Sequence, residues 1–384
     1  MRKIPFLLVG DGPADPTGLG RIARDLASLI VSSDLPLDLV QIGGSVPPPW
    51  TAWRHFPLDR GEDWGAACVA SYWTSLWGTE PGILFLVWDP SRLLPYVQID
   101  LPAERWAYTA IDAQNLNAQI GGPAAAALQQ FDRVLAYGRW GSTILKQTLH
   151  QSISYLPHGL TPEVWQTPAS EEEQAWVRGI LGPYARGKRI VGSVMTNQFR
   201  KDFATYFRLI RALLDRGQSV FGWLHTDTPI KAWAVQELVS QLGLEKAVRV
   251  TVDQYTDRQL ACLYQACQIT VLPSLGEGFG YPIVESLMAG IPVIHGDCAG
   301  GAELVPKTEW RVPVRTKRVE GIYALERPVW DVMDWANAVE RCFTWQEAVG
   351  PAIVAPYCRG AVAHLDWTAL WPRWQSWIKQ GLAA

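Results

Sequence analysis

Two glutamates, Glu277 and Glu285, stand eight positions apart in the stretch PSLGEGFGYPIVESLMAGIPVIHGDCAGGAELVP, residues 273 to 306. Gly276, Gly278 and Gly280 punctuate the turn around the first of them. Pro282 suits the opening turn of a helix, where its missing N–H costs nothing. Gly290 ends that helix, and a strand starts at Pro292-Val293-Ile294. A glycine-rich loop feeding a helix N-terminus is an anion site, because free N–H groups and the helix dipole both favour phosphate. A phosphate alone needs no carboxylates beside it. A phosphate with hydroxyl-rich groups on both sides does, because carboxylates accept hydrogen bonds from sugar hydroxyls.

A second constellation lies in GSVMTNQFRKD, Gly192 to Asp202, between a strand and a helix. Its Arg200 and Lys201 would neutralise a diphosphate through charge-assisted hydrogen bonds. Cations are disfavoured at a helix start unless an anion joins them. Gly18-Leu19-Gly20 is expected in a loop after the first strand, without the G-x-G-x-x-G spacing of a dinucleotide fingerprint. His225-Thr226-Asp227 ends a strand, and His225 is expected to be structural.

The elements that must hold these residues follow an alternating pattern, the mark of parallel sheets flanked by helices. Strands are expected at Ile4–Val9, Leu37–Ile42, Ile83–Trp88, Trp106–Ile111 and Arg133–Tyr137, with a helix over Arg21–Ser32. Residues 43–80 read as irregular, and their tryptophans are candidates for stacking on sugars or bases. After a break at Leu156-Pro157-His158-Gly159, the acidic stretch Ser170–Gln174 and a helix to Leu181 read as a linker. The alternation then resumes, with strands at Arg189–Val194, Val220–His225, Val248–Val252 and Ile269–Leu272. Beyond residue 310 the pattern weakens until an amphipathic helix, Leu365 to Ile378.

At 384 residues two domains are expected. Hydrophobic residues at 48% and charged residues at 18% supply a sizeable core and argue against disorder. No apolar run reaches the ~18 residues of a membrane span. MRKIPFLLVGDG reads as a first buried strand rather than a signal peptide. Six cysteines without framework or metal spacing suggest a reducing cytoplasm. A net charge of −3 leaves no global footprint for nucleic acid, although Arg315, Lys317 and Arg318 form a local basic cluster.

The segment around Glu277-Gly278-Phe279-Gly280 and Glu285 resembles the donor-binding motif of retaining glycosyltransferases of the GT-B fold, the glycogen-synthase-like and mannosyltransferase-like group. The resemblance implies an α/β chain of two doubly wound Rossmann-like domains facing across a cleft. The boundaries expected are 1–160 for the acceptor side, 161–364 for the nucleotide-sugar side, and 365–384 for a final helix crossing back. It implies that Glu277 sits beside the transferred sugar, Glu285 binds the ribose, and Arg200 and Lys201 bind the diphosphate. Ser193 stands where the family usually has an arginine, which makes Lys201 the closer match. It further implies donor contacts from Gly18, Gly20, Gly278, Phe279, Gly280, Gly300 and Gly301. Asp112 stands where many relatives carry a histidine that contacts the sugar.

The activity implied is transfer of a hexose from a UDP- or GDP-sugar, with retention, without a cofactor and without a metal in the chemistry. A saccharide or lipid-linked saccharide is the default acceptor. A hydroxymethylated base in DNA is an alternative, with Arg315, Lys317 and Arg318 as contacts. An epimerase or a non-catalytic sugar-nucleotide binder on the same fold is a further alternative.

Overall fold

Strands of a parallel sheet are covered on both faces, so they read as near-continuous apolar runs. Two such sheets organise the chain. The computed structural model describes residues 2–44, 51–59, 61 and 63–383. It divides into one unit of Met1–His158, Gly321–Leu325 and Leu370–Ala384, and a second of Gly159–Glu320 and Glu326–Ala369.

In the first unit the strands are β1 (Ile4–Val9), β2 (Leu37–Ile42), β3 (Arg54–Phe56), β4 (Gly82–Val87), β5 (Ala103–Thr109), β6 (Arg133–Ala136) and β7 (Ser154–Tyr155). They pair in parallel in the order β3-β2-β1-β4-β5-β6-β7. The accompanying helices are α1 (Gly18–Val31), α2 (Ala66–Trp77), α3 (Leu94–Gln98), α4 (Gly122–Leu128) and α5 (Arg139–Leu149). Leu7, Val9, Val40, Leu84, Leu86 and Trp73 are among the residues that form the core between sheet and helices.

Two expectations for this unit are corrected. Helix α1 starts at Gly18, so Gly18 and Gly20 lie in its first turn and not in a loop. Thr17 caps it, accepting from the Gly20 N–H at 2.9 Å and donating to Asp11 Oδ2 at 2.6 Å. A good cap outweighs the glycines' poor helix propensity. Gly20 serves close approach, since a Cβ there would lie 2.7 Å from the carbonyl oxygens of Asp15 and Gly12. The other correction concerns residues 43–80, which hold β3 and α2. The prolines that suggested irregularity precede α2, whose sequence AACVASYWTSLW contains neither proline nor glycine. Residues 45–50, 60 and 62, including Trp50, lie outside the described residues. The other tryptophans are engaged in packing. Trp73 is fully buried, Trp53 donates to Gln41 at 2.8 Å, and Trp77 donates to Asp38 at 2.8 Å.

The second unit contains α6 (Pro162–Gln166), α7 (Glu171–Leu181), β8 (Arg189–Val194), α8 (Phe203–Asp215), β9 (Val220–His225), α9 (Val235–Gln241), β10 (Val248–Thr251), α10 (Asp257–Gln265), β11 (Ile269–Leu272), α11 (Tyr281–Ala289), β12 (Val293–Gly296) and β13 (Arg311–Val312). Its parallel sheet runs β10-β9-β8-β11-β12-β13. The stretch read as a linker is α7, started by a capping box of Ser170 and Glu173 and tied to α10 through Glu173–Arg258 at 2.5 Å. Past residue 310, where pattern was weak, β14 (Thr316–Glu320) pairs with β15 (Leu325–Val329), and α12 (Val332–Val349) and α13 (Pro351–Val362) follow. No helix among the described residues is long and apolar enough to cross a membrane.

The last helix, α14 (Trp367–Leu382), enters the first unit at Leu370. There Trp374 is fully buried and donates from Nε1 to the Pro157 carbonyl at 3.0 Å. The Arg133 guanidinium lies between the rings of Trp106 and Trp377, at 4.8 and 4.3 Å. Trp374→Phe removes one ring from a fully buried site and orphans the Pro157 carbonyl, so it is expected to cost at least about 1–3 kcal/mol. A urea titration checks this; an unchanged midpoint would show that the bond contributes nothing.

Candidate active site

In an open α/β sheet, ligands bind beyond the carboxyl ends of the strands, at the point where strand order reverses. In the second unit that point lies between β8 and β11. The loops leaving these two strands are the two stretches singled out by sequence, Met195–Asp202 and Pro273–Gly280. The fold therefore brings Arg200, Lys201 and Glu277 together.

Arg200 and Lys201 lie on a short 3-10 turn, Phe199–Lys201, just before α8. Asp202 then caps α8 in the left-handed region (φ 47°), accepting from Thr205 Oγ1 at 2.6 Å. The turn is fastened to the β11 loop. The Arg200 carbonyl accepts from the Leu275 N–H at 2.6 Å and from Ser274 Oγ at 3.2 Å. Lys201 Nζ reaches Glu277 Oε1 at 2.5 Å. Arg200 Nη1 donates to the Gly276 carbonyl at 2.7 Å and to Glu277 Oε2 at 3.1 Å. Lys201 and Glu277 are both buried, at 5% relative exposure each. Burial alone would push the Glu277 carboxyl up. The charges of Lys201 and Arg200 outweigh that and hold it well below the usual carboxylate range. Two cations thus face one carboxylate.

Helix α11 begins beside this trio. Gly280 is its N-cap at φ 102°, with no side-chain cap bond, and Pro282 sits in the first turn. Phe279 is buried edge-on against Tyr281, with ring centroids 5.7 Å apart. Glu285 is buried one turn in and accepts from the Tyr264 hydroxyl at 2.8 Å. Tyr264 was not singled out from sequence; its one signal is its place on the inward face of α10.

The loop after β12 closes against the same turn. A Cβ at Gly300 would lie 2.6 Å from the Gly278 carbonyl oxygen, and one at Gly301 2.5 Å from His295 Nε2. His295 is fully buried and donates from Nδ1 to the Leu272 carbonyl at 2.7 Å. Burial lowers its pKa, so the ring is neutral at pH 7. The backbone of Gly300 thus packs directly on the Glu277–Gly278 turn, and that of Gly301 on the His295 ring.

Other candidates fall elsewhere. Gly18, Gly20 and Asp112 belong to the first unit, with Asp112 just past the end of β5. Arg315, Lys317 and Arg318 do not form a free basic cluster. Arg315 pairs with Asp334 at 2.6 Å, Lys317 with Glu326 at 3.1 Å, and Arg318 with Glu320 at 2.5 Å. His225 Nδ1 lies 3.0 Å from Thr251 Oγ1. Among the described residues, no group of three or more His, Cys, Asp or Glu could hold a metal ion.

Residues 233–322 match the family model for Glycosyl transferases group 1. A D-inositol 3-phosphate glycosyltransferase of Streptosporangium roseum is 28% identical over 136 residues, covering 35% of this chain and 27% of the relative. The chain thus spans little more than a quarter of that relative's length. Among solved structures, a sucrose-phosphate synthase from Thermosynechococcus elongatus superposes with a TM-score of 0.76 at 17% identity, over 99% of this chain and 100% of the other. Anabaena HepE, solved in complex with UDP and glucose, superposes with a TM-score of 0.74 at 14% identity, over 98% of this chain and 100% of the other. The chain therefore carries a group 1 glycosyl transferase segment on the two Rossmann-like domains of the GT-B fold.

Removing Glu277 takes from the buried Lys201 the carboxylate it pairs with. Glu277→Gln is therefore expected to lower stability at pH 7 by about 3–5 kcal/mol. The Glu277 carboxyl titrates lower in the folded chain than the about 4.3 of an unfolded glutamate. Its contribution is thus fully present above that value and is lost as pH falls through the folded one. Urea unfolding of both proteins checks this: the gap should be constant from about pH 8 to 5 and shrink below about pH 4. A gap that widens in acid would contradict the assignment.

Proposed function

We propose that this protein moves a hexose from a nucleoside-diphosphate sugar to an acceptor hydroxyl, with retention at the anomeric carbon. One observation carries the reading: Arg200, Lys201 and Glu277 converge at the switch point of the second sheet, beside an uncapped helix N-terminus. Two cations side by side and the partial charge at the start of α11 suit an anion. The group 1 match over 233–322 supports the same reading.

The chemical difficulty is departure of the nucleoside diphosphate. In this reading Arg200 and Lys201 meet the charge that develops on the leaving phosphate, already oriented before the reaction. Glu277 holds both cations in register and borders the transferred sugar. Glu285, steadied by Tyr264, accepts from the ribose hydroxyls. Backbone amides of Gly278, Gly280, Gly300 and Gly301 line the phosphates. The leaving phosphate lies beside the cationic, sugar-like transition state, and the acceptor attacks from that same face without a covalent enzyme intermediate. The two cations take the part a metal would play.

UDP is favoured as the nucleotide, because HepE was solved with UDP and glucose. The first unit has its own switch point between β1 and β4, where the loop to Gly18 and Gly20 emerges, and this suits it to the acceptor. The acceptor class proposed is a saccharide or lipid-linked saccharide. Arg315, Lys317 and Arg318 are engaged with carboxylates, which removes the reason to favour DNA. Six free cysteines fit a cytoplasmic location.

Glu285→Ala is expected to weaken nucleoside-diphosphate binding by about 1.5–3 kcal/mol, because a hydrogen bond to a charged group is lost. Calorimetry with UDP and GDP measures it, and unchanged affinity would remove Glu285 from the ribose site.

The activity is tested with labelled nucleotide sugars and saccharide or lipid-linked acceptors, with a chelator present. The expected product is a glycoside whose anomeric configuration, read by NMR, matches the donor. Inverted product would overturn retention. A free epimer would indicate an epimerase, and complete dependence on an added divalent ion would overturn the role given to Arg200 and Lys201.

A further inference from the structure

Asn197 is a fully buried polar side chain in the loop that carries Arg200 and Lys201. Its backbone N–H donates to Asp227 Oδ1 at 2.6 Å. Its side-chain amide donates to the carbonyls of Thr228 at 3.0 Å and Trp233 at 2.8 Å. Its amide oxygen accepts from the Trp233 N–H at 2.8 Å. Both amide hydrogens and the amide oxygen are therefore satisfied, as a buried polar network requires. Every partner lies in one segment, 227–233, between β9 and α9.

That segment grips the cationic turn in return. Trp233 Nε1 donates to the Gln198 carbonyl at 3.1 Å. The Trp233 ring stacks on Phe203 at 6.5 Å and meets Phe199 edge-on at 5.9 Å. The turn Phe199–Lys201 is thus held from one side by residues 227–233 and from the other by Ser274 and Leu275. Two short loops, from β9 and β11, fix the one between them.

We infer that Asn197 is a positioning residue for glycosyl transfer: it pins the cation-bearing turn to segment 227–233 and so sets Arg200 and Lys201 at the height where they reach Glu277. It touches no reacting atom. This rests on the function proposed above. Asparagine suits the task because it offers two donors and an acceptor on a short stem. Aspartate keeps the acceptor but loses both donors, and it brings a second carboxylate next to Asp227. The charged and titratable groups of the two facing segments are Asp227, Lys231, Arg200 and Lys201, with His225 and Asp202 at their ends; Lys231 lies 3.8 Å from Asp227.

The test compares wild type, Asn197→Ala and Asn197→Asp for kcat, donor and acceptor KM, and Tm, from about pH 8 to pH 5.5. The expected result for Asn197→Ala is a fall in kcat of about tenfold or more, a factor worth about 1.4 kcal/mol in the barrier. Acceptor KM should be unchanged and the chain still folded at the assay temperature. Asn197→Asp should be equally impaired at high pH and recover relative to wild type as pH falls. Protonation removes its repulsion with Asp227 and restores one donor. A pin that matters only for folding would move Tm and leave the pH dependence of this ratio flat. The inference is overturned if Asn197→Ala keeps kcat within twofold of wild type, or if the Asn197→Asp ratio does not change with pH. A wild type inactive on every nucleotide sugar would overturn the glycosyl-transfer reading, and the inference with it.

Discussion

A carboxylate and an ammonium, both almost wholly out of water, touch each other at Glu277 and Lys201. Neither charge could sit there alone, because the desolvation cost of an unpaired buried ion exceeds anything local packing returns. The pair therefore constrains its surroundings. The two loops must leave adjacent parallel strands, and β8 and β11 are the neighbours at which strand order reverses. The Arg200 carbonyl must face the Ser274–Leu275 backbone, and Gly276 must present its own carbonyl to the guanidinium.

Glycine plays two separate parts around that pair. At Gly280 it supplies a positive φ, so the chain can turn sharply into α11 and leave the helix start uncapped. At Gly300 and Gly301 it supplies absence, because any side chain would strike the Gly278 carbonyl or the His295 ring. The neutral His295 fills the floor below without adding a charge to compete with Lys201 and Arg200. Preorganisation here is a matter of backbone against backbone.

Much of this was legible in sequence wherever the signal is local. Pro282, Gly290 and Pro292 bracket α11 because each acts on its own φ or on its nearest hydrogen bonds. The central strands of both sheets show as apolar runs because they are covered on both faces, whereas the short edge strands β3, β7 and β13 carry no such run and were missed. What sequence missed depends on distant partners. Helix α2 was hidden by the prolines before it and by tryptophans that turned out to be packing. Strand β14 carries mostly exposed side chains, and β15 buries two adjacent residues, Arg327 and Pro328, so neither shows an alternating burial pattern. The cluster Arg315, Lys317 and Arg318 looked basic because Asp334 and Glu326 are remote in sequence. Tyr264, which bonds Glu285, was marked only by its place on the inward face of α10, and Asn197 had no local mark, since a buried hydrogen bond is a property of two places in the chain.

The last feature is the route of the chain. It passes from one unit to the other at residue 158, again at 320, back at 325, and finally at 369. The first unit is therefore assembled from three separate pieces, and its core relies on tryptophans from the very end of the chain. A protein wired in this way cannot be recombined at a single junction. A second unit exchanged for that of a relative by one crossover would arrive with a foreign tail, and the first unit would be left to close around the wrong indoles. Under the proposed function, a change of donor specificity is thus easier by substitution within the loops than by shuffling of units.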